Sequence, residues 1–144
     1  MSTAGFPERA EAVVIGAGIV GNCLVGHLAE LGWSDIVLLD KGPLPNPGGS
    51  TGHASNFIFP VDHNKEMAFL TVESQRQYAE LGLNTTCGGI EVARTEERME
   101  ELRRRMTSAT CWGIEAELLT PDQIEEKVPF INADILLGGF YTPS

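Results

Sequence analysis

Ala12-Val13-Val14-Ile15-Gly16-Ala17-Gly18-Ile19-Val20-Gly21 carries four apolar residues into a turn of spacing G-x-G-x-x-G, and an apolar-periodic segment follows at once. A strand that passes through such a turn into a helix is a dinucleotide-binding unit. Each glycine meets a separate demand: Gly16 allows the tight turn, Gly18 lets the backbone approach a pyrophosphate, and Gly21 lets helix and strand pack closely. The phosphates meet free N–H groups at the positive end of the helix that begins near Ile19, so no basic side chain is needed there.

Downstream of the turn, Val20, Leu24, Leu28 and Leu31 recur at steps of four, four and three, one stripe of a helix that Gly32 can end. Ile36-Val37-Leu38-Leu39 then reads as a parallel strand buried on both faces, and it stops at Asp40. An acid at a strand's carboxyl end, about twenty residues past the glycines, accepts hydrogen bonds from a ribose, and its charge disfavours a 2′-phosphate. The stretch from Lys41 to Pro60 is crowded with Gly, Pro and Asn and is longer than an ordinary connection. Within it, Gly48-Gly49-Ser50-Thr51-Gly52-His53-Ala54-Ser55-Asn56 sets hydroxyls beside adjacent glycines, a composition able to cradle phosphate oxygens. Taken alone, His53 reads as a loop imidazole.

The second half reads as scaffold. Lys65 to Leu81 forms a helix with Met67, Leu70, Tyr78 and Leu81 inward; Ile90 and Val92 alternate in a short strand after Gly88-Gly89; Met99, Leu102 and Met106 mark another amphipathic helix. Thr120-Pro121-Asp122-Gln123 has the cap, first-turn proline and third-position glutamine of a helix start. Ile135 to Tyr141 reads as a strand, and Trp112 as a buried anchor. His27 and His63 lack partners at ligand spacing, so no metal is assigned, and Asp62-His63 has no serine elbow.

Composition narrows the function classes. With 20 Asp+Glu against 10 Lys+Arg the net charge is -10, which argues against nucleic acid and anionic membranes as partners. Arg103-Arg104-Arg105, late in a segment that opens with Glu96 and Glu97, reads as a solvated helix face complementing the dipole. A chain of 144 residues with 42% hydrophobic content holds one ordinary domain. Three cysteines without C-x-x-C spacing, no secretory or transit leader, and no long apolar run point to a cytoplasmic, non-membrane protein.

Three strings together resemble one family: Val14 to Gly21, Val37-Leu38-Leu39-Asp40-Lys41-Gly42, and Gly48 to Ala54. They are similar to the flavin domain of the dimethylglycine oxidase and sarcosine dehydrogenase family, among the D-amino-acid-oxidase-like flavoproteins. The likeness continues through Gly88 to Ala93, Trp112 to Glu115 and Ile135 to Ser144. It implies an α/β, incomplete D-amino-acid-oxidase-like fold: a Rossmann-type FAD-binding βαβ unit and flavin loop over residues 10–60, then the start of an α+β substrate-domain excursion over 61–144. It implies FAD as cofactor, oxidation of N-methylated glycine derivatives (sarcosine, dimethylglycine) as activity, and folate only where a C-terminal domain exists.

Carried over position by position, Ile19 and Val20 lie against the pyrophosphate, Asp40 and Lys41 against the adenosine ribose. Ser50, Thr51 and Gly52 line the path to the flavin, with Phe57 beside it. The histidine matching His53 is joined to the 8α carbon of the flavin ring, a role that asks for a neutral ring nitrogen. Ser55-Asn56 departs from the glycine-containing pair of the family; Asn tolerates left-handed backbone better than most residues. The family's amine-binding residues and the rest of its FAD site lie further downstream, so the chain is expected to be an N-terminal portion with exposed sheet edges and marginal solubility by itself. An NAD-dependent dehydrogenase or a non-catalytic truncated paralogue would keep the opening turn and Asp40 as well.

Overall fold

The computed structural model describes residues 5, 7–44, 48–54, 57–62 and 64–143. His63, Ser55 and Asn56, on which three of the expectations above fall, lie outside them. The chain divides into two compact units, Met1–Asn56 and Phe57–Ser144.

The first unit is a βαβ arrangement. Strand β1 (Ala12–Ile15) runs parallel to β2 (Ile36–Leu39) in the register Ala12 with Ile36 through Ile15 with Leu39. Between them lies helix α1 (Ile19–Glu30), which stops where Gly32 takes φ 93°, a left-handed conformation that glycine adopts without strain. The expected stripe differs. Val20 and Leu31 are exposed, Leu24 is half out, and the side of α1 turned to the sheet runs through buried Gly21 and half-buried Val25 and Leu28. The missing side chain at Gly21 lets the helix settle on β1 beside Val14, and that approach, rather than the leucine periodicity, chooses the face. β2 is half-buried along its length instead of enclosed, because among the described residues of this unit its sheet has two strands and one helix.

The second unit is a three-stranded antiparallel sheet in the order β3 (Gly89–Ala93), β5 (Gly138–Thr142), β4 (Glu117–Leu119). β5, the latest of the three in sequence, is the central one, and it begins at Gly138; Ile135 belongs instead to a short 3-10 turn. Helix α3 (Glu96–Trp112) covers one face, burying Met99, Leu102 and Ala109 against Phe140, Ala93 and Val61, with half-buried Trp112 packed alongside. On the other face Ile124 of helix α4 (Pro121–Lys127) joins Leu119 and Leu136 over Ile90, Val92 and Tyr141. α4 starts as its sequence requires: the Thr120 hydroxyl accepts from the Gln123 N–H while the Gln123 side chain accepts from the Thr120 N–H.

Two expectations fail here for identifiable reasons. Helix α2 (Lys65–Glu80) forms, capped by Asn64, but Met67, Leu70 and Leu81 are exposed and its one buried residue is Ala68. The Met67 and Leu70 side borders an open groove with Phe57, Phe59 and Tyr78 rather than a closed core. The arginine triplet does not share one solvated face either. Arg103 and Arg104 reach back to exposed Glu100, whereas Arg105 is mostly buried and pairs with Glu91 on β3, which also binds Arg98. The helix has no basic residue in its last turn, so the triplet does not complement the dipole, and of the three only Arg105 ties helix to strand.

Candidate functional site: the glycine turn

The turn between β1 and α1 is locked at both ends. Gly16 has φ 106°, and its N–H donates to the Leu39 carbonyl at 2.7 Å. A β-carbon on Gly21 would stand 1.8 Å from the Gly16 carbonyl oxygen, so glycine is the residue this crossing admits. Gly18 meets a neighbour that the spacing alone does not show. A β-carbon there would lie 3.0 Å from Thr51 Oγ1, so the missing side chain makes room for a hydroxyl from the later loop.

That hydroxyl accepts the Ile19 N–H at 3.0 Å, the first orphan donor of α1. Ser50 to His53 form a short 3-10 helix that carries Thr51 to this position. From the other side Asp40 closes the frame: its Oδ2 accepts from the Ala17 N–H at 2.7 Å and its Oδ1 from the Gly42 N–H at 2.8 Å. These bonds, from Gly42 first and Ala17 second, hold the Asp40 carboxyl below its ordinary value of 3.8. An ionised carboxylate keeps further lone pairs for ribose hydroxyls after accepting one N–H on each oxygen.

Between these groups lies a cavity of about 530 Å³, lined by Ala17, Gly18, Ile19, Asn22, Asp40, Lys41 and residues 48–52. So Gly18, Ile19, Asp40, Lys41, Ser50, Thr51 and Gly52 come together in one place, although they are spread over more than thirty positions of the chain. Val20 is exposed one residue beyond the rim, and Gly16 and Gly21 shape the turn from beneath. His53 is exposed at the end of the 3-10 helix and is not among the lining residues. Phe57 belongs to the second unit, where it is 62% exposed and stacks on Phe59 with ring centroids 5.8 Å apart.

Asn22 escaped the sequence reading. It sits one place after the third glycine, in an otherwise apolar helix start where Asn is a poor helix former, and that misfit was the available signal.

The residues fit the adenosine-diphosphate half of a dinucleotide on structural grounds: a turn whose crossing rejects a β-carbon at Gly21, a helix N-terminus opening onto the cavity, and a carboxylate held ionised at the strand end. Fold and turn thus define an α/β protein with a Rossmann-type βαβ unit. Residues 11–144 match the family model described as FAD dependent oxidoreductase, and the chain belongs to that family. It is 34% identical to the mitochondrial dimethylglycine dehydrogenase of Rattus norvegicus over 96% of its own length and 17% of that protein's. It is 31% identical to the mitochondrial pyruvate dehydrogenase phosphatase regulatory subunit of Mus musculus over 96% of its length and 16% of that protein's. Among solved structures, L-proline dehydrogenase from P. horikoshii superposes with a TM-score of 0.84 at 25% identity, covering 95% of this chain and 37% of that one. The chain therefore spans about a sixth of the curated relatives it matches, and the expected D-amino-acid-oxidase-like fold class holds. Among the described residues no helix is long and apolar enough to cross a membrane.

Acid should loosen this frame. A carboxyl whose folded pKa is depressed stabilises the fold above its unfolded value, and that contribution is lost as pH falls through the lowered folded value. Protection of the Ala17 and Gly42 amides against exchange is expected to fall as pH drops through that lowered value, below 3.8, and Asp40→Asn should show the lowered protection already at neutral pH. Equal exchange in parent and variant at pH 7 would refute the role.

Proposed function

We propose that the chain is the nucleotide-binding portion of an FAD-dependent oxidoreductase acting on N-methylated glycine derivatives of the sarcosine and dimethylglycine class. The observation that carries the reading is the convergence of Asp40 and Thr51 on the G-x-G-x-x-G turn in a chain of the FAD-dependent family. Gly16, Gly18 and Gly21 shape the seat of the pyrophosphate, Ile19 and Val20 flank it, and Asp40 with Lys41 receives the ribose. Ser50, Thr51 and Gly52 line the way onward, His53 is the attachment point, and Phe57 offers an aromatic face to the ring. FAD, once bound, supplies the acceptor for the electrons removed from the amine. The 34% identity to a dimethylglycine dehydrogenase supports the substrate class. Three unpaired, exposed cysteines among the described residues support a reducing, cytoplasmic setting.

A second reading has its own support. One relative is by name a regulatory subunit, so a non-catalytic member that keeps the nucleotide seat is the competing possibility. Acid precipitation separates the covalent claim from the rest. The protein is expected to keep its yellow flavin absorbance in the washed pellet, and His53→Ala should release that pigment while still binding FAD reversibly. Full release from the parent overturns the tether; retention of pigment with no amine-dependent dye reduction by the intact gene product favours the regulatory reading.

A further inference from the structure

The backbone amides of the glycine turn are aimed by a side chain of the helix they open. The Asn22 Nδ2 donates to the Ala17 carbonyl at 2.7 Å and to the Gly18 carbonyl at 3.0 Å, and the Gly18 carbonyl also accepts the Asn22 backbone N–H at 3.0 Å. Only the NH₂ end of an amide can face two carbonyl oxygens, so the orientation of the side chain is settled by its partners. Because a trans peptide is planar, holding the Ala17 C=O toward Asn22 turns the Gly18 N–H the opposite way, and holding the Gly18 C=O does the same for the Ile19 N–H. The Ile19 N–H does point away from Asn22, at the Thr51 hydroxyl.

We propose that Asn22 is the positioning residue of the pyrophosphate seat, fixing the Gly18 N–H toward the cavity and the Ile19 N–H toward the Thr51 hydroxyl that lines it, before any ligand arrives. This rests on the dinucleotide reading of that cavity. Three side chains then share the turn: Asp40 holds the Ala17 N–H, Thr51 the Ile19 N–H, and Asn22 the two carbonyls between them. Preorganised donors spare a ligand the cost of ordering them, so the effect belongs to ligands that carry phosphates. Adenosine or riboflavin, which make no use of those amides, should not feel it.

The test titrates the full chain with FAD, ADP, adenosine and riboflavin by fluorescence and calorimetry, in the parent, Asn22→Leu and Asn22→Ser. Leucine keeps the volume and loses both hydrogen bonds, and should weaken FAD and ADP alike by about tenfold with adenosine and riboflavin unchanged. Serine can bond back to the carbonyl four residues earlier, as Ser74 and Thr71 do on α2, and should recover part of the loss. Equal ADP affinity in parent and Asn22→Leu overturns the inference and leaves the FAD reading standing. A proportional loss for adenosine and ADP assigns Asn22 to packing and overturns it too. If Asn22→Leu fails to fold by circular dichroism, Asn22→Ser decides: ADP affinity equal to the parent's rejects the role. A parent that binds neither FAD nor ADP fails the FAD reading itself and the Asn22 role with it.

Discussion

Gly21→Ala is expected to weaken dinucleotide binding about a hundredfold while leaving the second unit folded. The added carbon would stand 1.8 Å from the Gly16 carbonyl, which is backbone and cannot swing aside. Either α1 lifts from β1 or the turn opens, and both moves separate the Ile19 N–H from Thr51 and the Ala17 N–H from Asp40. Overpacking at a rigid contact costs about 3 kcal/mol at the upper end of its usual range, which is a loss of about a hundredfold in any affinity that needs the turn. Calorimetric titration with ADP checks it. An affinity within a few-fold of the parent would mean that the crossing of helix and strand is softer than its geometry states.

Phe140→Ala is expected to unfold the second unit. Phe140 is fully buried at the middle of the central strand, opposite Glu91 on one side and Leu118 on the other, and its ring meets Phe59 edge-on at 6.0 Å. Removing a buried phenyl ring costs about 3–5 kcal/mol. A small domain holds about 5–15 kcal/mol in total, so the loss takes from about a fifth of the margin to all of it, and a unit at the low end of that range unfolds. Urea unfolding followed by the fluorescence of Trp112, which packs in the same cluster, reports the loss directly. An unchanged midpoint would place the core elsewhere.

How far the residues alone led depended on whether a feature was local. The glycine spacing, the strand ending at Asp40, and the capping box at Thr120 are set by neighbours in sequence, and each was readable from residue types. The Thr51 hydroxyl on the Ile19 N–H joins groups 32 positions apart, and no spacing rule connects them. Helical periodicity located α1, α2 and α3 and gave the covered side of α3, but misjudged that of α1 and α2, since periodicity shows that a face is apolar and says nothing of what lies against it. Arg105 was misread for a related reason: besides Glu101 one turn back it pairs with Glu91, on a strand outside the helix that no i,i+4 argument reaches. Asn22 was visible as an oddity, and its meaning came only with the direction of two carbonyls.

The placement of β5 bears on how the polypeptide matures during synthesis. The first unit closes through a strand, a helix and a strand that emerge from the ribosome in succession, so it can settle early. In the second, β3, α3 and β4 leave the exit tunnel with the middle of their sheet missing, and Leu102 and Ile124 stay uncovered until Gly138–Thr142 slots between the two outer strands. Nascent chains stalled just short of Phe140 should therefore be the ones that chaperones hold.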